Sequence, residues 1–140
     1  MIREATIFDI EELHKIRVSV NENKLSDPNR ITAEDYRQYL TVRGKGWKAE
    51  KGGNIIGFSI VDTIDHSVWA LFVHPAFESR GVGRQLHDTM INWYFQVTDV
   101  PLTLSTSADT RAERFYRKAG WNEKGISNGE IIFQLNGLQK

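Results

Sequence analysis

The chain has 140 residues, 40% of them apolar and 26% charged, and its 18 basic residues balance its 18 acidic ones to a formal charge of zero. That length suits one domain with a core of its own, residues 1–140, and the neutral balance argues against broad electrostatic capture of nucleic acid. With no cysteine, disulfides, zinc–thiolate sites and cysteine nucleophiles are excluded; no apolar run reaches membrane-spanning length, and Met1-Ile2-Arg3-Glu4 carries no signal-peptide pattern, so the expected compartment is the cytoplasm.

Residues 2–6 predict a short strand. Asp9 stands where it would cap a helix from Ile10, and Ile10, Leu13, Ile16 and Val20 keep helical spacing. Residues 21–30 are polar, and Ser26-Asp27-Pro28-Asn29 predicts a loop. Thr32 with Asp35 makes a capping-box pattern for a second helix running to about Thr41, with Tyr36, Tyr39 and Leu40 on its apolar side and Gly44 and Gly46 breaking it. Residues 47–51 and 54–62 predict strands joined at Gly52-Gly53, a hairpin signal. After a turn at Asp65-His66, residues 67–73 predict the third strand of this meander. Residues 82–95 predict an amphipathic helix with Leu86, Met90, Trp93 and Tyr94 inward. A strand at 102–106 precedes a helix that starts at Asp109 or Thr110, runs to Ala119 and stops at Gly120. Residues 121–125 and 130–135 predict a closing hairpin around Ser127-Asn128-Gly129.

The segment between the third meander strand and the long helix is the most informative: His74-Pro75-Ala76-Phe77-Glu78-Ser79-Arg80-Gly81-Val82-Gly83-Arg84-Gln85-Leu86. A strand, a turn with two glycines and two arginines, and a helix start together make an anion site. Free N–H groups point outward at a helix N-terminus, the dipole favours negative charge there, and glycine lets backbone approach closely. A nucleotide P-loop needs Gly-Lys-Ser/Thr at the helix start, and Gly83-Arg84-Gln85 does not supply it. A dinucleotide fingerprint needs a third glycine where Leu86 stands, and here an antiparallel meander precedes the loop. Taken alone, the turn is equally readable as a plain strand-to-helix connection with solvated arginines.

A second motif lies further along the chain: Arg111-Ala112-Glu113-Arg114-Phe115-Tyr116-Arg117-Lys118-Ala119-Gly120-Trp121. Together, Val73-His74-Pro75, the run from Glu78 to Gly83, and the run from Asp109 to Trp121 resemble the GNAT superfamily of acyl-CoA-dependent N-acetyltransferases. The order of strands and helices over nearly the whole chain is also similar. The resemblance implies an α/β fold with a central, mostly antiparallel twisted sheet of six to seven strands and helices on both faces. It implies acetyl-CoA as acyl donor, with the backbone N–H groups from Ser79 to Arg84 (Ser79, Arg80, Gly81, Val82, Gly83 and Arg84) cradling the diphosphate and both arginines adding charge. It implies that the strand ending at Phe72 and Val73 splays from its neighbour and pairs its backbone with the pantetheine amides. Tyr116 is the implied catalytic acid for the departing thiolate. Glu78 stands where Gln or Arg is usual in the family, so its carboxylate is expected to turn away or to pair with a nearby arginine. Asp109 stands where Asn is common, and a carboxylate cannot donate to pantetheine. A homodimer also accords with family habit.

The implied reaction is transfer of an acetyl group to a primary amine of a small molecule or amino-acid-like acceptor, by direct attack in a ternary complex, since no covalent nucleophile stands out. The competing readings are a non-catalytic acyl-CoA-binding module and a nucleotide- or phosphate-binding regulator, and a loop that binds a protein tail competes with the small acceptor. Glu22, Glu50, Asp62 and His66 are the candidates for the base. The acceptor pocket is expected from the first two helices and their loop, with Arg17, Asn21, Glu22, Asn23, Leu25-Ser26-Asp27-Pro28 and the wall residue Trp69. Four scattered histidines and no carboxylate cluster predict no metal site.

Overall fold

The computed structural model describes residues 1–20 and 31–138, so the loop predicted at 26–29 lies outside the described residues. Seven strands form one sheet. They are β1 (Ile2–Glu4), β2 (Gly44–Lys51), β3 (Asn54–Asp62), β4 (Ser67–Val73), β5 (Leu102–Ser107), β6 (Asn122–Ser127) and β7 (Glu130–Leu135). Their spatial order is β1-β2-β3-β4-β5-β7-β6, and every adjacent pair is antiparallel except β4 and β5.

Helices cover both faces because each carries an apolar stripe to bury. On one face, α1 (Ile10–Ser19) and α2 (Ala33–Arg37) bury Leu13, Ile16 and Tyr36 against Phe58, Ile60 and Ala70. On the other, α3 (Val82–Val97) and α4 (Arg111–Lys118) bury Leu86, Met90, Tyr94 and Tyr116 against Leu102, Leu104 and Phe133. No helix among the described residues is long and apolar enough to cross a membrane.

Local signals explain most boundaries. Thr32 and Asp35 form the expected capping box, with the Thr32 N–H donating to the Asp35 carboxylate at 2.7 Å. Thr110 caps α4 by accepting from the Glu113 N–H at 3.2 Å. Asp9 does not cap α1 with its side chain. Its carboxylate accepts from the Thr6 N–H at 2.9 Å and from Lys48 Nζ at 2.9 Å, pinning the first turn to β2.

Gly44 and Gly46 do more than end a helix. The second helix continues through a π-helical turn, Gln38–Val42, and β2 begins at Gly44 itself. A Cβ on Gly44 would lie 1.7 Å from the Val61 carbonyl oxygen, and one on Gly46 would lie 2.5 Å from Leu40 Cδ2. Gly44→Ala must therefore push β2 off β3. The expected cost is about 3 kcal/mol or more, read as a lower urea midpoint with the slope unchanged.

β4 carries two irregularities. Its register with β3 passes from Ile60↔Ala70 to Val61↔Val68, leaving Trp69 as an extra, bulged residue. Its parallel pairing with β5 is confined to Ser67↔Thr103. Beyond that point, toward Val73, the two strands part.

Candidate active site

The opening between β4 and β5 leads to the strand-to-helix loop. β4 stays bonded to β3 to its very end, where the His74 N–H donates to the Ile56 carbonyl at 2.8 Å. Its β5-facing backbone is left without a strand partner past Ser67. Pro75–Phe77 then makes a 3₁₀ turn. The backbone is left-handed at Ser79 (φ 64°) and again at Gly81 (φ 84°), where α3 begins. Such left-handed residues curl successive N–H groups into a concave anion-binding nest. The first bond into α3 comes from Gln85 N–H to the Gly81 carbonyl, at 3.1 Å. Val82, Gly83 and Arg84 thus have N–H groups with no partner inside the helix, at its positive end.

The two arginines of the loop differ. Arg80 lies over the Phe77 ring, 5.6 Å from its centroid. Arg84 is half-exposed and pairs with Asp88 one turn along α3 at 3.0 Å, so its charge is partly met within the helix. Glu78 pairs with Arg111 at 3.5 Å, as expected of a carboxylate beside an anion loop, and Arg111 also donates to the Ser79 hydroxyl. A cation in the first turn of α4 works against that helix's dipole; its bonds to the loop are the compensating term. Gly83 faces inward: a Cβ there would stand 3.6 Å from Val73 Cγ2 and 3.9 Å from Phe115. A Cβ alone would make ordinary contacts there, and a longer side chain would press on Val73 and Phe115. Asp109, left-handed at φ 63°, donates its N–H to Glu113 Oε1 at 2.7 Å, which leaves its carboxylate and carbonyl as acceptors only.

Tyr116 is buried among the rings of His87, Phe115, Trp121 and Phe133. Its hydroxyl donates to no described residue. Burial pushes the phenol above its ordinary value. The group therefore holds its proton, with the donor unspent.

Sequence reasoning passed over His87. It is fully buried, and Trp121 Nε1–H donates to its Nε2 at 2.9 Å while its Nδ1 meets Asp88 Oδ1 at 2.8 Å. With Nε2 accepting, the proton sits on Nδ1 and the ring is neutral. Burial lowers its pKa and outweighs Asp88, which acts to raise it. A depressed folded pKa contributes stability that is present above the unfolded value, about 6.5, and lost as pH falls from there through the folded value. The Tm should drop on acidification below about pH 6.5, and His87→Gln should flatten that slope in thermal melts. A histidine on the Leu86/Met90 side of an amphipathic helix was the available signal.

The base candidates scatter. His66 Nδ1 meets the Tyr94 hydroxyl at 2.8 Å, and Asp62 is held by Arg43 at 2.9 Å and accepts from the Ile64 and Asp65 N–H groups. Both lie at the Ser67 end of β4, about 20 Å of strand from Val73. Glu50 pairs with Arg3 at 2.9 Å on β2, and Glu22 lies outside the described residues. Of the acceptor-pocket candidates, residues 21–28 are likewise outside them. Arg17 and Trp69 come together: the Trp69 bulge turns its ring onto the α1/α2 face, stacked on Tyr39 at 4.2 Å, and the Arg17 guanidinium lies 5.0 Å from the Trp69 ring. Among the described residues no group of His, Cys, Asp or Glu is placed to hold a metal ion.

The family described as acetyltransferase (GNAT) domain matches residues 43–123, more than half of the chain. No curated protein matches in sequence. Solved structures do. The ribosomal-protein-S18-alanine N-acetyltransferase of Escherichia coli is 17% identical with a TM-score of 0.80, over 100% of this chain and 96% of its own. The PaiA N-acetyltransferase of Thermoplasma acidophilum, solved with coenzyme A, is 15% identical with a TM-score of 0.81, over 97% and 98%. The ribosomal-protein-alanine N-acetyltransferase of Brucella melitensis is 22% identical with a TM-score of 0.76, over 97% and 99%. Those likenesses carry the fold. The domain match, spanning the opened strand pair, the glycine loop and the Tyr116 helix, carries the rest: the chain belongs to the GNAT acetyltransferases, the acyl-CoA-dependent family that its two motifs resemble.

Proposed function

We propose that this chain, as one domain over residues 1–140, transfers the acetyl group of acetyl-CoA to the primary amine of a small, amino-acid-like acceptor by direct attack in a ternary complex. The observation that carries the reading is the parting of β4 from β5 onto a loop with two left-handed residues and three unbonded helix N–H groups. The nest from Ser79 to Arg84 takes the diphosphate, and Arg80 adds charge. The unpaired edge at Phe72 and Val73 meets the amides of the pantetheine arm as an added strand would. Asp109 serves that arm as an acceptor only.

Acetyl-CoA supplies a thioester. The amine nitrogen bonds to its carbonyl carbon as the carbon–sulfur bond breaks, the amine gives up a proton, and the sulfur ends with one. A backbone N–H near Val73 polarises the carbonyl. Tyr116, kept protonated by burial, donates a hydrogen bond to the departing sulfur. With no cysteine in the chain, attack by the amine itself is the simplest route.

Thiol release from acetyl-CoA across a panel of amines tests this. Two of the similar structures are ribosomal-protein-alanine N-acetyltransferases, so the panel includes peptides with a free N-terminal amine. Amine-dependent release is expected. Tight CoA binding with no release from any amine would favour the non-catalytic module.

A further inference from the structure

The Arg17 side chain leaves α1 toward β4 and comes to rest over two rings, 5.0 Å from the Trp69 centroid and 4.9 Å from that of Phe72. Its Nε and Nη1 are enclosed and have no hydrogen-bond partner, and they are the only such side-chain atoms among the described residues. Among the described residues the polar group beside it is the Tyr36 hydroxyl, which hydrogen-bonds the guanidinium and also meets His14 Nδ1 at 3.0 Å. The described carboxylates nearby are committed elsewhere. Glu11 and Glu12 face Lys15, Asp9 holds Lys48, Glu34 holds Arg37, and Asp35 caps its own helix. The aromatic walls satisfy the cation only in part. A buried charge is normally paired, and leaving one unmatched costs several kcal/mol in principle.

The position of this guanidinium, with two nitrogens unpaired and no described carboxylate on it, is informative. Phe72 is the next-to-last residue of β4, beside Val73, whose side chain abuts Gly83 of the anion loop. Arg17 therefore stands across β4 from the nest, on the α1/α2 face, against the strand end where the thioester is placed.

We propose that Arg17 receives the carboxylate of the acceptor, so that the acceptor class is an amine bearing a free carboxylate, such as an α-amino acid. This rests on the acetyl-transfer reading above. The walls of Trp69, Phe72, Tyr36 and Tyr39 exclude water from the pair, which strengthens it. Arginine suits the task because it stays charged when desolvated. The carboxylate thereby orients the amine toward the end of β4, and Arg17 acts as a specificity residue.

The test compares α-amino acids with their amides, with the corresponding decarboxylated amines, and with peptides amidated at the C-terminus. Thiol release is followed for the unaltered chain, Arg17→Met and Arg17→Lys. Calorimetry of the same acids on the CoA-loaded chain runs alongside. The acids should exceed the amides at least tenfold in kcat/KM. Arg17→Met should abolish that preference through KM, Arg17→Lys should keep part of it, and CoA affinity should stay within about twofold in both, which certifies the fold. Equal use of acids, amides and amidated peptides would overturn the proposal, as would a preference that survives Arg17→Met or no heat from any acid. If acids bind in an Arg17-dependent way and no amine releases thiol, the acetyl-transfer reading falls and the Arg17 assignment stands. If amines are acetylated without regard to a carboxylate, the reverse holds.

Discussion

Tyr116→Phe should lower turnover with the best acceptor by about a hundredfold or more, roughly 2.7 kcal/mol of barrier, while CoA affinity changes by less than about threefold. The change removes one oxygen. The ring contacts with His87, Trp121 and Phe133 remain, and the hydroxyl donates to no described residue, so folding should be nearly indifferent to its loss. That combination singles out chemistry: a structural tyrosine would show the reverse, a lower Tm with kcat intact. Burial also sets the pH signature. The phenol is pushed above its ordinary value, so no loss of activity from its deprotonation should appear below about pH 10. An unchanged kcat in Tyr116→Phe would remove Tyr116 from the reaction.

Gly81→Asp should weaken CoA binding by about a hundredfold, roughly 2.7 kcal/mol, with the loss shrinking as salt is raised. Gly81 is left-handed, with φ 84° and ψ 1°, and a Cβ added there meets nothing within 4 Å. Asp and Asn both tolerate that backbone, so Gly81→Asn carries the same strain without the charge and should bind within about tenfold of the unaltered chain. A difference between the two variants therefore reports charge at the mouth of the nest. Equal affinities, measured by titration with CoA, would mean that the diphosphate lies elsewhere.

Much of the architecture was legible because local chemistry and tertiary structure agree. The Thr32/Asp35 box, the Gly52-Gly53 hairpin, the glycine loop and the Gly120 stop all stand where short-range rules put them. Glu78 is another case: a carboxylate beside an anion loop needs a cation, and Arg111 provides it. Asp9 went astray because two helix starts compete for it. The turn at Thr6 and the ammonium of Lys48 claim the carboxylate before α1 can. Asp62 and His66 are suitable groups for a base by type alone, and the strand they flank carries them to the far end of β4.

By itself the order of residues determined the alternation of strands and helices, the loop with its unbonded N–H groups, and the tyrosine four residues ahead of Gly120, because each depends on neighbours within a few positions. Only the tertiary structure decided three other things: that β4 pairs with β5 at Ser67 alone before the expected parting, that a bulge turns Trp69 onto the α1/α2 face, and that two guanidinium nitrogens of Arg17 are enclosed without a partner while His87 is buried and held by Trp121. Each of these arises from contacts between elements far apart in the chain. Strand divergence, bulges and burial are settled by packing, and packing leaves no periodic mark in any one segment.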